Sequence, residues 1–451
     1  MPQIQRKWKW LVLLMLPLFP TYSQTRYSLQ EAIQYGVTHN INVKNTQVDA
    51  QSAESRIGEI RSVGLPQVNA TVSLMDNLII QRAFLPAAFF GGGPNDAPRA
   101  VQFGVKYSGN TALQLNQMIF NAQWLLGLKA AQAYRELSLK NITQSKIQVA
   151  ESVSKAYYSV LIAEERAKLL DLNIQRLDSL TREMSAMNEK GFVEKIDVNR
   201  LEVSLNNLKT ERTKVQNLVD LSYYMLKFQM GMKLDEQIQL TDRINEAEVE
   251  RIAAEVKGDD VNSFSYDQRI DYSILKSNLH LSEMDVENNK RGYYPTVSTF
   301  AGYGYNTGRN SFGEVFGSPW FNNANIGLSV NIPIFDGFSK KYKIQQARFT
   351  VDKVKQSLSL VEQSIDLQIR SANITIINGF ETLKTQKRNL DLAQEVVRVS
   401  KIKYQSGTGS NIEVINAESA LKESQTNYFA SLYDLLLAKV DLDKAKGKLA
   451  P

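Results

Sequence analysis

Gly191-Phe192-Val193-Glu194-Lys195-Ile196-Asp197-Val198 returns 216 positions later as Gly407-Thr408-Gly409-Ser410-Asn411-Ile412-Glu413-Val414. The same offset carries Glu202 onto Glu418 and Gly231 onto Gly447. Near the front of each half, Asn40-Ile41-Asn42-Val43 matches Arg269-Ile270-Asp271-Tyr272, and Leu65-Pro66 matches Tyr294-Pro295. A repeat this long is no solenoid unit, so the chain reads as a duplicated, domain-sized module. The two repeats cover residues 24–230 and 266–451. Between them, residues 231–265 are polar and acidic and are expected to form an irregular equatorial belt.

Each repeat runs in the same order. Ser28-Leu29-Gln30-Glu31 is a capping box, and it predicts one helix from Ser28 to Val63, closed by Gly64 and Pro66. A strand hairpin follows, over residues 66–118 in the first half and 295–334 in the second. Val68, Ala70, Val72 and Leu74 alternate with Gln67, Asn69, Thr71 and Ser73, the period of a strand with one apolar face. Residues 101–115 are expected to continue that pattern as one strand, as are 295–305 and the run around Ile326, Leu328, Val330 and Ile332. The loop between the first two strands holds an unusually apolar segment at 83–90.

Two long proline-free stretches, 121–188 and 338–405, then predict helices about 100 Å long at roughly 1.5 Å per residue. Val153, Ala156, Val160, Ala163, Ala167, Leu170, Ile174 and Leu177 step by three and four, a coiled-coil seam. Val351, Val354, Leu358, Val361 and Ile365 do the same in the second half. Gly191 and Gly407-Thr408-Gly409 break the rods, and return helices start at Lys195 and Asn411.

Arg6, Lys7 and Lys9 precede an apolar run from Leu11 to Phe19, so residues 1–23 read as a signal peptide with cleavage before Gln24. Removing those three cations lowers the formal charge from +6 to +3, which leaves little reason to expect a nucleic-acid partner. The chain has no cysteine, which excludes disulfides, thiol catalysis and thiolate metal sites. His39 and His280 lie on polar helices and do not align in the repeat. With no HExxH, phosphate loop or nucleophile elbow either, the sequence offers no catalytic residue, cofactor site or metal site, and reads as a non-enzyme.

The strands decide the architecture. Each is close to the ~9–11 residues of a tilted membrane strand, with one apolar and one polar face. Four strands are too few for a two-sheet sandwich that could cover such rods. They are also too few to close a barrel, and an open edge in lipid leaves unpaired backbone groups. Several copies must therefore share one barrel. The expected fold class is mixed but mainly α: an internally duplicated, antiparallel coiled-coil tunnel with a four-strand contribution to an oligomeric transmembrane β-barrel.

In this order of elements the chain resembles the TolC-type outer-membrane efflux proteins over essentially all of residues 24–451. The most specific stretch is Tyr404-Gln405-Ser406-Gly407-Thr408-Gly409-Ser410-Asn411-Ile412-Glu413-Val414-Ile415-Asn416-Ala417-Glu418. The resemblance implies a homotrimer in the outer membrane and a periplasmic tunnel. Its far tip, at Gly191, Gly407 and Gly409, would dock on a periplasmic adaptor and an inner-membrane pump. It also implies a gate ring at Glu413, with Asn416 at the next ring position where the family often has a second acid. Tyr404 and Asp197 match positions that lock the tip shut, and Gly409 replaces a lock arginine. An acid at Glu413 or Asp197 also complements a helix dipole, a role compatible with the first. The implied function is an exit duct for small molecules. The alternatives are a duct for type I protein secretion and, from another class, a barrel-anchored structural coiled coil.

Overall fold

The computed structural model describes residues 25–243, 251, 264–317 and 319–449; the expected signal peptide and most of the central belt lie outside them. In chain order the elements are β1 (Thr25–Tyr27), α1 (Leu29–His39), α2 (Ile41–Ser62), β2 (Gln67–Asp76), β3 (Arg82–Leu85), β4 (Arg99–Gln102) and β5 (Tyr107–Phe120). Then come α3 (Ala122–Glu189), α4 (Lys195–Met230), β6 (Ile238–Leu240), α5 (Ile270–Arg291), β7 (Thr296–Arg309), β8 (Phe321–Asn331), α6 (Ser339–Gln405) and α7 (Asn411–Ala445). The rods are 68 and 67 residues long. Asn121 caps α3 by accepting from the backbone N–H of Gln123 and Trp124.

The single helix expected over 28–63 is two. The chain leaves helical geometry at Asn40 (ψ 136°) and restarts, with Asn40 Oδ1 accepting from the Asn42 N–H at 2.8 Å. A short polar side chain that satisfies the next turn's amide makes this break possible inside an otherwise helical run. Its Nδ2 donates to the carbonyl of Gln229 on α4 at 2.7 Å. In the second half Arg269 has the extended ψ of 122° and its Nη1 donates to the carbonyl of Ala445 on α7 at 2.9 Å. Gln229 and Ala445 stand 216 positions apart, the same offset as the tip turns. Close backbone approach accompanies both contacts. A Cβ on Gly231 would lie 2.8 Å from Asn40 Cα, and one on Gly447 would lie 2.6 Å from the Gln268 carbonyl oxygen. Nearby, β1 pairs in parallel with β6, and the buried Tyr157 donates its hydroxyl to the Tyr27 carbonyl at 3.0 Å.

The strand expected over 101–115 is also divided. Residues 99–102 form β4, which pairs with β3 in a separate outer hairpin, and β5 starts only at Tyr107. Between them Gly104 has φ +141°, a conformation that ends the first strand. The apolar segment 83–90 supplies β3 and a 3-10 turn, Ala87–Phe90, to that hairpin.

The remaining strands form one antiparallel sheet in the order β2-β5-β7-β8. Its register sorts the faces. Val68, Leu115, Ala301 and Ile326 form one row across the sheet, and Ala70, Leu113, Tyr303 and Ala324 the next. The opposite face carries the rows Asn69, Gln114, Gly302, Asn325 and Thr71, Ala112, Gly304, Asn323. A bulge between Met118 and Phe120 turns Phe120 onto the apolar face beside Val297. Every residue of β2 is exposed, and β2 and β8 are the edges of the sheet. Among the described residues no helix is long and apolar enough to cross a membrane.

The rods pair as two hairpins, α3 with α4 and α6 with α7. Leu170, Leu177, Met184, Val198, Leu201 and Leu205 fill the core between the first pair. Leu390, Val397, Ala417 and Leu421 fill part of the second.

Candidate gate at the tip of the helical hairpins

Both tip turns are built the same way. After α3, the Gly191 N–H donates to the Asn188 carbonyl and the Phe192 N–H to Met187, each at 2.9 Å. After α6, the Gly407 N–H donates to Tyr404 at 3.0 Å and the Thr408 N–H to Lys403 at 2.9 Å. This is a Schellman stop, which needs a left-handed residue; Gly191 and Gly407 supply it with φ +79° and +75°. Gly409 seals the second turn by donating its N–H to the Lys403 carbonyl at 3.0 Å, and a Cβ there would press on Lys403.

The four side chains singled out by sequence all lie at this end of the molecule. Glu413 is in the first turn of α7, its N–H bonded to the Ser410 hydroxyl at 3.4 Å. Glu413 and Asn416 are both exposed and three positions apart, so they share one helical stripe. Their neighbours Val414 and Ala417 are buried against the hairpin core. The carboxylate therefore projects away from its own subunit's packing.

Tyr404 and Asp197 are half-buried neighbours at the tip, with no hydrogen bond between them. The Tyr404 hydroxyl donates to the Met184 sulfur, while Asp197 pairs with Arg200 at 3.3 Å. Burial, then the negative charges of Asp197 and Glu183, raise the Tyr404 hydroxyl above its ordinary pKa, which keeps it a proton donor.

A residue not singled out by the sequence makes the direct tie. Buried Asn411 donates its Nδ2 to the Asp197 backbone carbonyl at 3.0 Å, joining the starts of the two return helices. The repeat places Lys195 opposite Asn411, so the asymmetry was visible but its partner was not. Deeper in the bundle, Asn173 Nδ2 donates to Gln425 Oε1 at 2.6 Å, and Arg176 Nε lies 3.5 Å from Glu418 Oε1. Burial pushes the Glu418 carboxyl up, against the attraction of Arg176 and Lys401. Among the described residues, no cluster of three or more His, Asp or Glu side chains is arranged to hold a metal ion.

The chain is similar in sequence and in fold to known outer-membrane proteins. The outer membrane efflux protein family matches residues 276–448. Outer membrane protein TolC of Escherichia coli strain K12 is 21% identical over 456 aligned positions, covering 97% of this chain and 86% of that protein. The probable efflux pump outer membrane protein TtgC of Pseudomonas putida is 21% identical, over 93% of this chain and 83% of its own length. The Campylobacter jejuni CmeC outer membrane channel superposes with a TM-score of 0.70 at 15% sequence identity, over 94% of this chain and 86% of the other. Together these likenesses support a TolC-type outer-membrane efflux protein.

Proposed function

We propose that this chain is one subunit of a passive outer-membrane exit duct with a periplasmic extension, carrying small molecules delivered by an inner-membrane pump through an adaptor. The observation that carries the reading is the sheet register. It gathers Val68, Leu115, Ala301 and Ile326 on one side and Asn69, Gln114 and Asn325 on the other, with edges β2 and β8 open. A wall of that kind is stable in lipid only when each open edge finds another strand, which a ring of identical subunits supplies. Resemblance to the TolC-type proteins supports three copies in that ring. On this reading residues 24–230 and 266–451 are structural repeats, residues 231–265 form the equatorial connection, and outer-membrane lipid covers the apolar face.

We place the gate at the tip, with Glu413 as the charged ring, Asn416 beside it and Tyr404 and Asp197 holding the hairpins. Gly191, Gly407 and Gly409 shape the loops offered to the adaptor. Purified protein in a planar bilayer should conduct as a trimer with a preference for cations, and Glu413→Gln should weaken that preference. A carboxylate ring acts on cations by Coulomb attraction, which the neutral amide lacks. A monomer that is stable without detergent would overturn the duct, and unchanged selectivity in the variant would remove Glu413 from the gate.

A further inference from the structure

Beyond the duct itself, the junction between sheet and rods carries an exposed aromatic and lysine surface. The apolar face of β8, with Ile326, Leu328 and Val330, runs on past the last paired residue, Asn331, as Ile332 and Ile334. Ile334 is 93% exposed, Phe335 75% and Phe338 58%. Phe335 and Phe338 meet edge to face at 5.5 Å, so the two rings form one patch. Tyr293, Tyr294 and Tyr342 are also exposed. The Lys340 ammonium lies 5.5 Å from the Tyr293 ring, and that of Lys341 lies 5.8 Å from Phe338 and 6.0 Å from Tyr342. Lys343 is exposed two positions further on. Asp336 balances Lys340 at 2.9 Å, which leaves the patch net positive.

Neither component is explained by the stability of the chain itself. Among the described residues Phe338 is the single non-glycine with positive φ (+67°), a strained backbone for a residue with a Cβ. The lysines stand in the first turns of α6, the end of a helix where the dipole disfavours cations. Rings and ammonium groups interleaved at the edge of an apolar wall match one environment: the boundary where acyl chains give way to anionic head groups. We infer that the surface formed by Ile334, Phe335, Phe338, Lys341, Tyr342 and Lys343 binds anionic phospholipid head groups of the periplasmic leaflet of the outer membrane. The inference rests on the duct reading for the direction of the apolar face. Its occupant follows from charge complementarity and from continuity with that face.

The test uses the full-length protein in nanodiscs of phosphatidylcholine mixed with phosphatidylglycerol, with the lipids retained on the ejected protein counted by native mass spectrometry. Phosphatidylglycerol should be retained preferentially. The double variant Lys341→Gln, Lys343→Gln should reduce the preference by roughly ten- to thirtyfold, the effect expected for two lysines near a charged surface. Phe338→Gly should keep or raise the heat resistance of the protein in detergent, because it relieves the strain, yet retain less lipid. Equal retention of both lipids by the parent, or an unchanged preference in the double variant, overturns the proposal and leaves the duct intact. A Phe338→Gly variant that loses its oligomer also overturns it, since the ring would then belong to a subunit contact. Failure of the parent to enter nanodiscs at all overturns the duct and the lipid site together.

Discussion

Gly231→Ala against Gly191→Ala separates two costs that usually come mixed. Both glycines are left-handed, with φ +74° and +79°, so alanine at either position incurs about 1–2 kcal/mol of backbone strain. Their surroundings differ. A Cβ on Gly191 meets nothing within 4 Å, whereas on Gly231 it lies 2.8 Å from Asn40 Cα, 2.9 Å from the His39 carbonyl oxygen and 3.0 Å from Asn40 N. All three are backbone atoms at the break between α1 and α2, and they cannot swing aside as a side chain can. Forcing a methyl group into such a contact adds about 1–3 kcal/mol. The expected totals are about 1–2 kcal/mol at Gly191 and about 2–5 kcal/mol at Gly231. For a chain of 451 residues, an unfolding entropy of about 2.1 cal/mol/K per residue makes each kcal/mol worth about 1 °C. Differential scanning fluorimetry of the assembled protein should therefore show Gly231→Ala melting about 2–5 °C lower and Gly191→Ala only about 1–2 °C lower. An equal or larger loss at Gly191 would refute the close-approach argument, because it would leave only the shared dihedral as the cause.

Three further outcomes follow from the tip and the bundle. Asn411→Ala removes the amide that ties the two return helices, worth about 1–2 kcal/mol, and should raise channel conductance or dye leakage. The pair Tyr404→Phe with Asp197→Ala should act in the same direction; conductance at parental level in both would show that neither holds the tip. For Glu418, burial raises the folded-state carboxyl above its ordinary value, so its contribution to stability is fully present below about pH 4 and is lost as pH rises through the folded value. Glu418→Gln mimics the protonated form, and Arg176 keeps its bond to Asn173. The variant should resist heat at least as well as the parent at pH 7 and converge with it in acid; a lower melting point at pH 7 would show that the ion pair is net stabilising.

What the sequence determined is what local periodicity can encode. Proline-free seams of small and apolar residues predict α3 and α6 nearly to the residue, because a helix is specified by neighbours three and four positions away. Gly191 and Gly407 mark the ends of the rods through their dihedrals alone. Alternation in residues 67–74 announced a strand with two unlike faces. The same local reading carried a helix through Asn40 and a strand through Gly104, since neither break interrupts the apolar period strongly enough to be seen. Tertiary structure alone decided which distant segments meet. It set β5 beside β7, joining the two halves and bringing their apolar faces into common rows. It also brought Asn411 to the Asp197 carbonyl and Glu418 to Arg176, across separations of more than two hundred residues. Such contacts depend on the register of whole elements packed together, and no periodicity within either element records it.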